Sequence, residues 1–417
     1  MVGGLPRAPV PPPTTQGAAD GAAFAAGRTV SDVELRIAFT GGGTGGHVYP
    51  ALAIDDALRE RRPAGGYEAR FFGNREGLEA TLVKTIPLSF VPSAPLQRKA
   101  SLAALGTALA NAAGVVRALG ALARFRPDFV VATGGYVCFP VVVAARILRL
   151  LRIVRPQIAL LEINVTPGLT NRLLAPLVDE VWTTYAASEE SFGRKAVVTG
   201  APVRASLRVA KDAPSARERL GLDPDRRTVV VMGGSQGARS INEAVTALVT
   251  RRTLPEDWQV LHVCGERDYA YMQAEQRQLA PGNRVQLVPY LADPADAYAA
   301  ADVVIARSGA STLAELAVTG TPSLLIPYPH AADQHQAHNA ALFADAGAAV
   351  LLSDGELDGD RLWWTLREVL DTDRHVAMRK AARTLAPRNA GAAIVARIES
   401  RLAARVGADT EANGLRP

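Results

Sequence analysis

Cysteine is scarce: Cys138 and Cys264 are the only two in 417 residues, and both lie in or beside apolar runs. A disulfide framework is therefore excluded as an organising device, and two buried, inert thiols in a reducing compartment are expected. Aromatic residues make up 6% of the chain, and no stretch interleaves them with basic side chains, so nucleic acid has no support as a partner. No run of about 20 uninterrupted apolar residues stands out, and no spanning helix is expected. Residues 1–30 are rich in Pro, Ala and Gly, with Pro11-Pro12-Pro13. They lack the basic-then-apolar layout of a signal peptide and read as a disordered leader. No cluster of ligating side chains suggests a metal or another cofactor, and none is expected.

What remains is ordinary globular material, 48% hydrophobic and 21% charged, long enough for two or three cores. The net charge of +5 is unevenly spread. Between residues 80 and 161 stand Lys84, Arg98, Lys99, Arg117, Arg124, Arg126, Arg146, Arg149, Arg152 and Arg155 against Asp128 alone, a block of +9 in a chain otherwise net acidic. Such a block suits an anionic partner, either lipid headgroups or a phosphorylated acceptor.

The chain then reads as two βα series, which makes the fold class α/β. The first opens with an apolar run at 35–40 and the loop Gly41-Gly42-Gly43-Thr44-Gly45-Gly46-His47. Pro50 is expected in the first turn of the following helix. Gly41, Gly43 and Gly46 satisfy the G-x-G-x-x-G spacing. The second strand ends in Phe71-Phe72-Gly73-Asn74 without the acid that a dinucleotide ribose needs, so NAD is disfavoured. Leu102, Leu105, Leu109, Val116 and Leu119 fall at helical spacing and predict a core helix. Strands at 129–132, 158–161 and 178–184 follow, with a glycine turn at Thr133-Gly134-Gly135-Tyr136. Between them lies an arginine-bearing helix around 141–153, readable as a solvated face or as a membrane-surface element. A second series starts at 228–232 with Gly233-Gly234-Ser235-Gln236-Gly237-Ala238 and a helix over 241–249, then strands at 259–263 and 284–288.

The expected organisation is a leader at 1–30, a first Rossmann-like domain at 31–205 on the acceptor and membrane side, and a hinge region at 206–225. A second, nucleotide-binding domain spans 226–405, and a flexible tail 406–417. The final helices, from about 359 to 405, cover the second domain or cross back to the first.

Chemistry concentrates in residues 301–339. A short apolar run, Val303, Val304 and Ile305, leads into Ser308-Gly309-Ala310-Ser311-Thr312 and a helix from Leu313, so free N–H groups and a helix dipole would face a bound diphosphate. A second run at 323–326 leads to Pro327-Tyr328-Pro329-His330 and the polar string Asp333, Gln334, His335, Gln336, His338 and Asn339. Thr312-x-x-Glu315 also fits a capping box, which makes Glu315 a cap as readily as a ligand. His47, after a glycine turn at a helix start, is a candidate general base, although a lone histidine is more often structural.

Taken together, segments 40–53, 133–140, 164–174, 200–204, 232–242 and 306–339 resemble the MurG family of peptidoglycan UDP-N-acetylglucosamine transferases, over about residues 35 to 400. The resemblance implies a GT-B glycosyltransferase fold, two Rossmann-like domains facing a central cleft. It implies transfer of N-acetylglucosamine, with inversion, from its UDP donor to an undecaprenyl-diphosphate-linked N-acetylmuramyl pentapeptide, at the cytoplasmic face of the cell membrane as a peripheral protein. It places donor contacts on Thr44, Gly45, Gly46, Asn164, Arg204, Ser235, Leu291, Ala310, Ser311, Thr312, Leu313, Ala314, Glu315 and Gln336, with His47 and Glu315 as the catalytic pair. In that scheme Glu315 takes the ribose hydroxyls, Leu291 packs on uracil, Asn164 and Gln336 orient the sugar, and Arg204 with the Ser235 loop holds the diphosphate.

The chain departs from the family at Leu161 and Ile163, where His and Gln are usual, at Cys138-Phe139, where small residues are usual, and at Ala201, where Asn is usual. These positions bear on the acceptor side. Alternative readings are a transferase with another lipid or small-molecule acceptor, a UDP-N-acetylglucosamine 2-epimerase, and a non-catalytic subunit that binds donor or membrane.

Overall fold

A computed structural model describes residues 35–63, 66–95, 102–234, 237–385 and 389–414. The leader expected over 1–30 lies outside them. Runs such as Phe129–Ala132 and Val303–Ala306 are apolar at every position and buried at every position. That is the pattern of parallel strands covered by helices on both faces.

Seven strands make the first sheet: β1 (Leu35–Thr40), β2 (Tyr67–Gly73), β3 (Leu88–Phe90), β4 (Phe129–Ala132), β5 (Gln157–Glu162), β6 (Glu180–Thr183) and β7 (Ala196–Val198). Six make the second: β8 (Arg227–Met232), β9 (Trp258–Val263), β10 (Val285–Val288), β11 (Val303–Ala306), β12 (Ser323–Leu325) and β13 (Ala349–Leu351). All pairings are parallel, in the orders β3-β2-β1-β4-β5-β6-β7 and β10-β9-β8-β11-β12-β13. Each order reverses once, between β1 and β4 and between β8 and β11, and a crevice opens beyond the strand ends at such a point. The glycine loops after β1 and β4 therefore share one crevice, and the loops after β8 and β11 share the other.

Helix Gly45–Arg61 begins five residues before Pro50, not at it. Proline has no N–H to give the carbonyl four residues back. That carbonyl, on Gly46, instead accepts from Ser311 Oγ of the second lobe at 3.4 Å.

The two long helices of the first lobe trade the places expected of them. Leu105, Leu109 and Val116 of helix Leu102–Phe125 are 59, 64 and 71% exposed, while Asn111, Ala118, Leu122 and Phe125 are buried. The reason is steric. At Gly114 a side chain would run into the Pro92 carbonyl and Pro140, so the small-residue seam packs inward and the leucine stripe faces out. Over Ala104–Phe125 this helix is also long and apolar enough to cross a membrane, by length and composition alone, although Asn111, Arg117 and Arg124 interrupt its apolar run. Conversely, helix Cys138–Leu150 buries Cys138, Pro140, Val141, Val142, Ala144, Ala145 and Leu148, and its exposed residues gather at its end.

The chain crosses between lobes twice. Helices Ala205–Arg208 and Ala213–Arg219 follow β7, and Arg217 is buried against Asp302 and the Ala300 carbonyl of the second lobe. The final helix, Ala390–Gly414, runs on through 406–414, where a tail is expected from sequence. It packs Ile394, Val395 and Ile398 into the first lobe's core, and its Arg397 and Arg401 pair with buried Glu180.

Candidate active site

On the first lobe, the loop from Gly41 to Gly46 ends with Thr44 as N-cap of helix Gly45–Arg61. Gly43 has φ +84°, and Gly134 and Gly135 in the facing turn have φ +106° and +82°, left-handed conformations that glycine adopts freely. The His47 ring fills the space these glycines leave. A methyl at Gly134 would lie 2.7 Å from its Cδ2, and one at Gly135 2.9 Å from its Nδ1. His47 Nδ1 is 2.9 Å from the Gly42 carbonyl and 3.3 Å from Thr44 Oγ1. Because a carbonyl only accepts, Nδ1 carries the proton and Nε2 keeps its lone pair. Burial lowers the His47 pKa from 6.5; the Gly42 carbonyl opposes this and His335 adds to it. The ring is therefore neutral at neutral pH, as a general base requires.

On the second lobe, helix Ala310–Thr319 is capped by Gly309, with no side-chain cap bond. Glu315 is thus in the second turn, and the capping-box reading of Thr312-x-x-Glu315 does not hold. Glu315 is 9% exposed. Its Oε2 accepts from Tyr298 Oη at 2.9 Å, and its Oε1 from Arg204 Nη2 at 3.2 Å. Burial raises the carboxyl's pKa, while Arg204 and then Tyr298 pull it down. Arg204 also donates to the Ala292 carbonyl at 2.8 Å and stacks over Tyr49 at 4.2 Å. Tyr49 in turn meets Tyr290 hydroxyl to hydroxyl at 3.1 Å.

Ala310 and Ala314 pack into the first lobe's core beside Ile163 and Ala201. These four residues make an apolar contact between the lobes. Leu313 is fully buried, Thr312 half-buried, and Leu291, next to the Ala292 carbonyl, half-buried against the second lobe's core. Gln336 lies in the first turn of helix His335–Asp345, its Oε1 accepting from Tyr328 N at 2.9 Å and its carbonyl from Ser308 Oγ at 2.7 Å.

The polar string also stitches the lobes together. Asn339 Oδ1 accepts from Val165 N at 2.9 Å, and its Nδ2 donates to Asn164 Oδ1 at 3.1 Å. His338 Nδ1 is 2.8 Å from Thr166 Oγ1, and Arg172 pairs with Asp333 at 3.1 Å. Asn164 is held from below by buried Glu162, which takes its N–H and Nδ2 at 3.0 Å each on one oxygen, and Gly168 N and Asn171 Nδ2 on the other.

Thr44, Gly45, Gly46, His47 and Asn164 thus belong to the first lobe and Leu291, Ala310 to Glu315 and Gln336 to the second, with Leu313 buried in the second lobe's core; Arg204, after β7, reaches Glu315 and the Ala292 carbonyl. Ser235 lies outside the described residues. Sequence reasoning missed Tyr49, Tyr290 and Tyr298, which shape the pocket around Arg204 and Glu315 and carry no local motif. It also missed Arg307, whose guanidinium joins Ser240, the Ile326 and Pro327 carbonyls and Asp354, bracing the helix after the second lobe's first glycine loop.

Comparison with known proteins identifies the family. The glycosyltransferase family 28 N-terminal domain matches residues 37–183, and the family 28 C-terminal domain matches 228–394. A UDP-N-acetylglucosamine–N-acetylmuramyl-(pentapeptide) pyrophosphoryl-undecaprenol N-acetylglucosamine transferase of Moorella thermoacetica is 42% identical over 370 residues, 87% of this chain and 97% of that protein. Its namesake from Listeria monocytogenes is 36% identical, over 87 and 98%. Among solved structures, MurG of Acinetobacter baumannii superposes with a TM-score of 0.67 at 26% identity, over 88% of this chain and 99% of that one. A Listeria monocytogenes protein titled a putative UDP-N-acetylglucosamine 2-epimerase shares the fold, with a TM-score of 0.62 at 17% identity over 89 and 97%. With two parallel-sheet lobes, both family 28 domains and these relatives across nearly their whole length, the chain belongs to the MurG family of GT-B glycosyltransferases.

Proposed function

We propose that this protein moves N-acetylglucosamine from UDP-N-acetylglucosamine to the muramyl hydroxyl of an undecaprenyl-diphosphate-linked N-acetylmuramyl pentapeptide. The observation that carries the reading is an imidazole held through Nδ1 on the first lobe's glycine loop, where the Gly46 carbonyl next to it meets Ser311 Oγ in the first turn of the helix that carries buried Glu315. In the reaction His47 Nε2 takes the acceptor proton as its oxygen bonds the anomeric carbon. The bond from that carbon to the diphosphate oxygen breaks on the opposite face, which inverts the centre. The developing charge on UDP meets the N–H groups of helix Ala310–Thr319 and the guanidinium of Arg204. Glu315 exchanges Arg204 for the ribose hydroxyls, so one event frees the cation for the phosphates and the carboxylate for the sugar. Leu291 lies against uracil, and Asn164 and Gln336 orient the transferred sugar.

Offering labelled UDP-N-acetylglucosamine with the muramyl lipid, and separately with other lipid and small-molecule acceptors, tests this reading. Label on the muramyl lipid with a β linkage is expected, and label only on another acceptor would overturn it.

Leu105, Leu109 and Val116 of helix Leu102–Phe125 and Leu150, Leu151 and Ile153 at the end of the helix packed beside it are exposed, as are Arg117, Arg124 and Arg152. Exposed apolar side chains and cations suit the surface of an anionic bilayer, as a peripheral attachment at the cytoplasmic face. Arg149 is spent on Asp179 at 2.6 Å, so the local charge is smaller than the raw +9. Sedimentation with phosphatidylglycerol vesicles is expected to fall as salt rises. Leu109→Asp should weaken it about tenfold or more, since an exposed leucine entering hydrocarbon contributes about 1.5–3 kcal/mol. Unchanged sedimentation of that variant, or none by the parent at low salt, would remove this surface from the proposal.

A further inference from the structure

Beneath the first glycine loop lies a carboxylate that the mechanism above does not use. Glu79 starts the short helix Glu79–Leu82 and is fully buried. Three glycines crowd it: a methyl at Gly42, Gly73 or Gly77 would run into its side chain. Among the described residues its recorded partners are backbone N–H groups, Asn74 N on Oε1 at 2.7 Å and Gly43 N on Oε2 at 3.4 Å. A carboxylate taken out of water at such cost needs its hydrogen bonds, and here it draws them from the loop that carries the site. The next link is the carbonyl of Gly42, one residue before the N–H that Glu79 holds, and that carbonyl receives His47 Nδ1–H at 2.9 Å.

We infer that Glu79 is a positioning residue: it pins the Gly42-Gly43 turn from below so that the Gly42 carbonyl fixes the His47 ring with its Nε2 lone pair turned to the acceptor. Its geometry explains why the Gly73-Asn74-Arg75-Glu76-Gly77-Leu78-Glu79 segment carries glycine on both sides of the carboxylate. Two glycines leave room for it, and the third, Gly42, lets the loop settle onto it. The titratable group acting on the imidazole is His335 from the second lobe; Glu79 reaches it only through the Gly42-Gly43 turn. The inference rests on His47 as the base, and its test is chosen to separate the two.

Glu79→Gln keeps the shape and removes the charge, and it offers one acceptor oxygen where two backbone N–H groups need one each, so one of them goes unmet. Nitrogen-15 spectra of histidine-labelled protein report the tautomer directly. With six histidines in the chain, the His47 signals are assigned by their loss in His47→Asn. Wild type is expected to show Nδ1–H alone. Glu79→Gln is expected to show a tautomer mixture, with kcat down about 10- to 100-fold, the scale of a small misplacement of a reacting group. Its Kd for UDP should stay within about 2-fold of wild type, because Glu315 and Leu291, the groups proposed to hold uridine, belong to the other lobe. Gly77→Ala, whose methyl would run into both carboxylate oxygens, should reproduce both changes and stands in where Glu79→Gln does not fold. A folded variant with the wild-type tautomer and turnover would overturn the role of Glu79. Because the spectrum needs no acceptor, a shifted tautomer alongside full activity in His47→Asn would instead count against the base assignment.

Discussion

Replacing His47 with Asn is expected to lower kcat about 10²- to 10⁴-fold, the range that a positioned general base contributes, while UDP binds the variant as it binds the parent. The separation follows from the architecture. His47 belongs to the first lobe, wedged between Gly42, Gly134 and Gly135, and the groups proposed to hold uridine belong to the second. The wild-type pH profile carries a sign that follows from burial. Desolvation lowers the pKa of His47 from 6.5, so kcat/KM should be level at neutral pH and above. It should fall only as acid protonates the ring, at a pH below 6.5. Asparagine at this position removes that acidic limb. Initial rates with saturating acceptor from pH 5 to 8 measure both effects, and a variant that keeps the rate and the limb would assign the proton to another group.

The second large effect is expected at Glu315. Each hydrogen bond to a charged group contributes about 1.5–3 kcal/mol, and two ribose hydroxyls make two such bonds. Glu315→Ala should therefore raise the Kd for UDP about 100-fold or more. Calorimetry with UDP alone reads this without any acceptor. Glu315→Gln should fall between, because an amide oxygen still accepts from Tyr298 but no longer balances Arg204, which is 19% exposed at its side chain. At saturating donor the kcat of Glu315→Gln should drop far less than its kcat/KM. A Kd for UDP within about 2-fold of wild type in Glu315→Ala would place the ribose elsewhere.

What could be read from the residues divides by distance along the chain. Strand runs such as Val303, Val304 and Ile305 announce themselves because both faces are buried, and the glycine loops that follow mark the crevices. Both are local signals. Helix Leu102–Phe125 shows where a local signal misleads. The leucine spacing is real, but a helix surface that packs through Gly114 and Ala118 leaves the larger side chains outside. Periodicity reports an apolar face and not what covers it. Arg204, Tyr298 and Glu315 come together from three segments, and no window on the sequence joins them. The polar string at 333–339 was legible as exceeding what a solvated loop needs. Its partners, Asn164, Val165, Thr166 and Arg172, lie more than a hundred residues away. Glu79 hid because nothing marks a carboxylate as buried except the glycines beside it.

Ile163 and Ala201 show how a departure from the family can be absorbed. Together with Ala310 and Ala314 they form an apolar contact between lobes, at positions where the resemblance implied polar side chains. Glu315, Arg204 and the start of helix Ala310–Thr319 still come together. The change therefore falls on how the lobes meet and leaves the groups proposed to meet UDP in place.

A crystal structure with UDP-N-acetylglucosamine bound is the most direct measurement of the division of labour between the lobes. The ribose hydroxyls should lie on Glu315, the diphosphate at the first turn of helix Ala310–Thr319 with Arg204 swung onto it, and the anomeric carbon across the cleft from His47 Nε2. A donor seated with its ribose away from Glu315, or with its anomeric carbon turned from His47 and no path for an attacking hydroxyl between them, would contradict it.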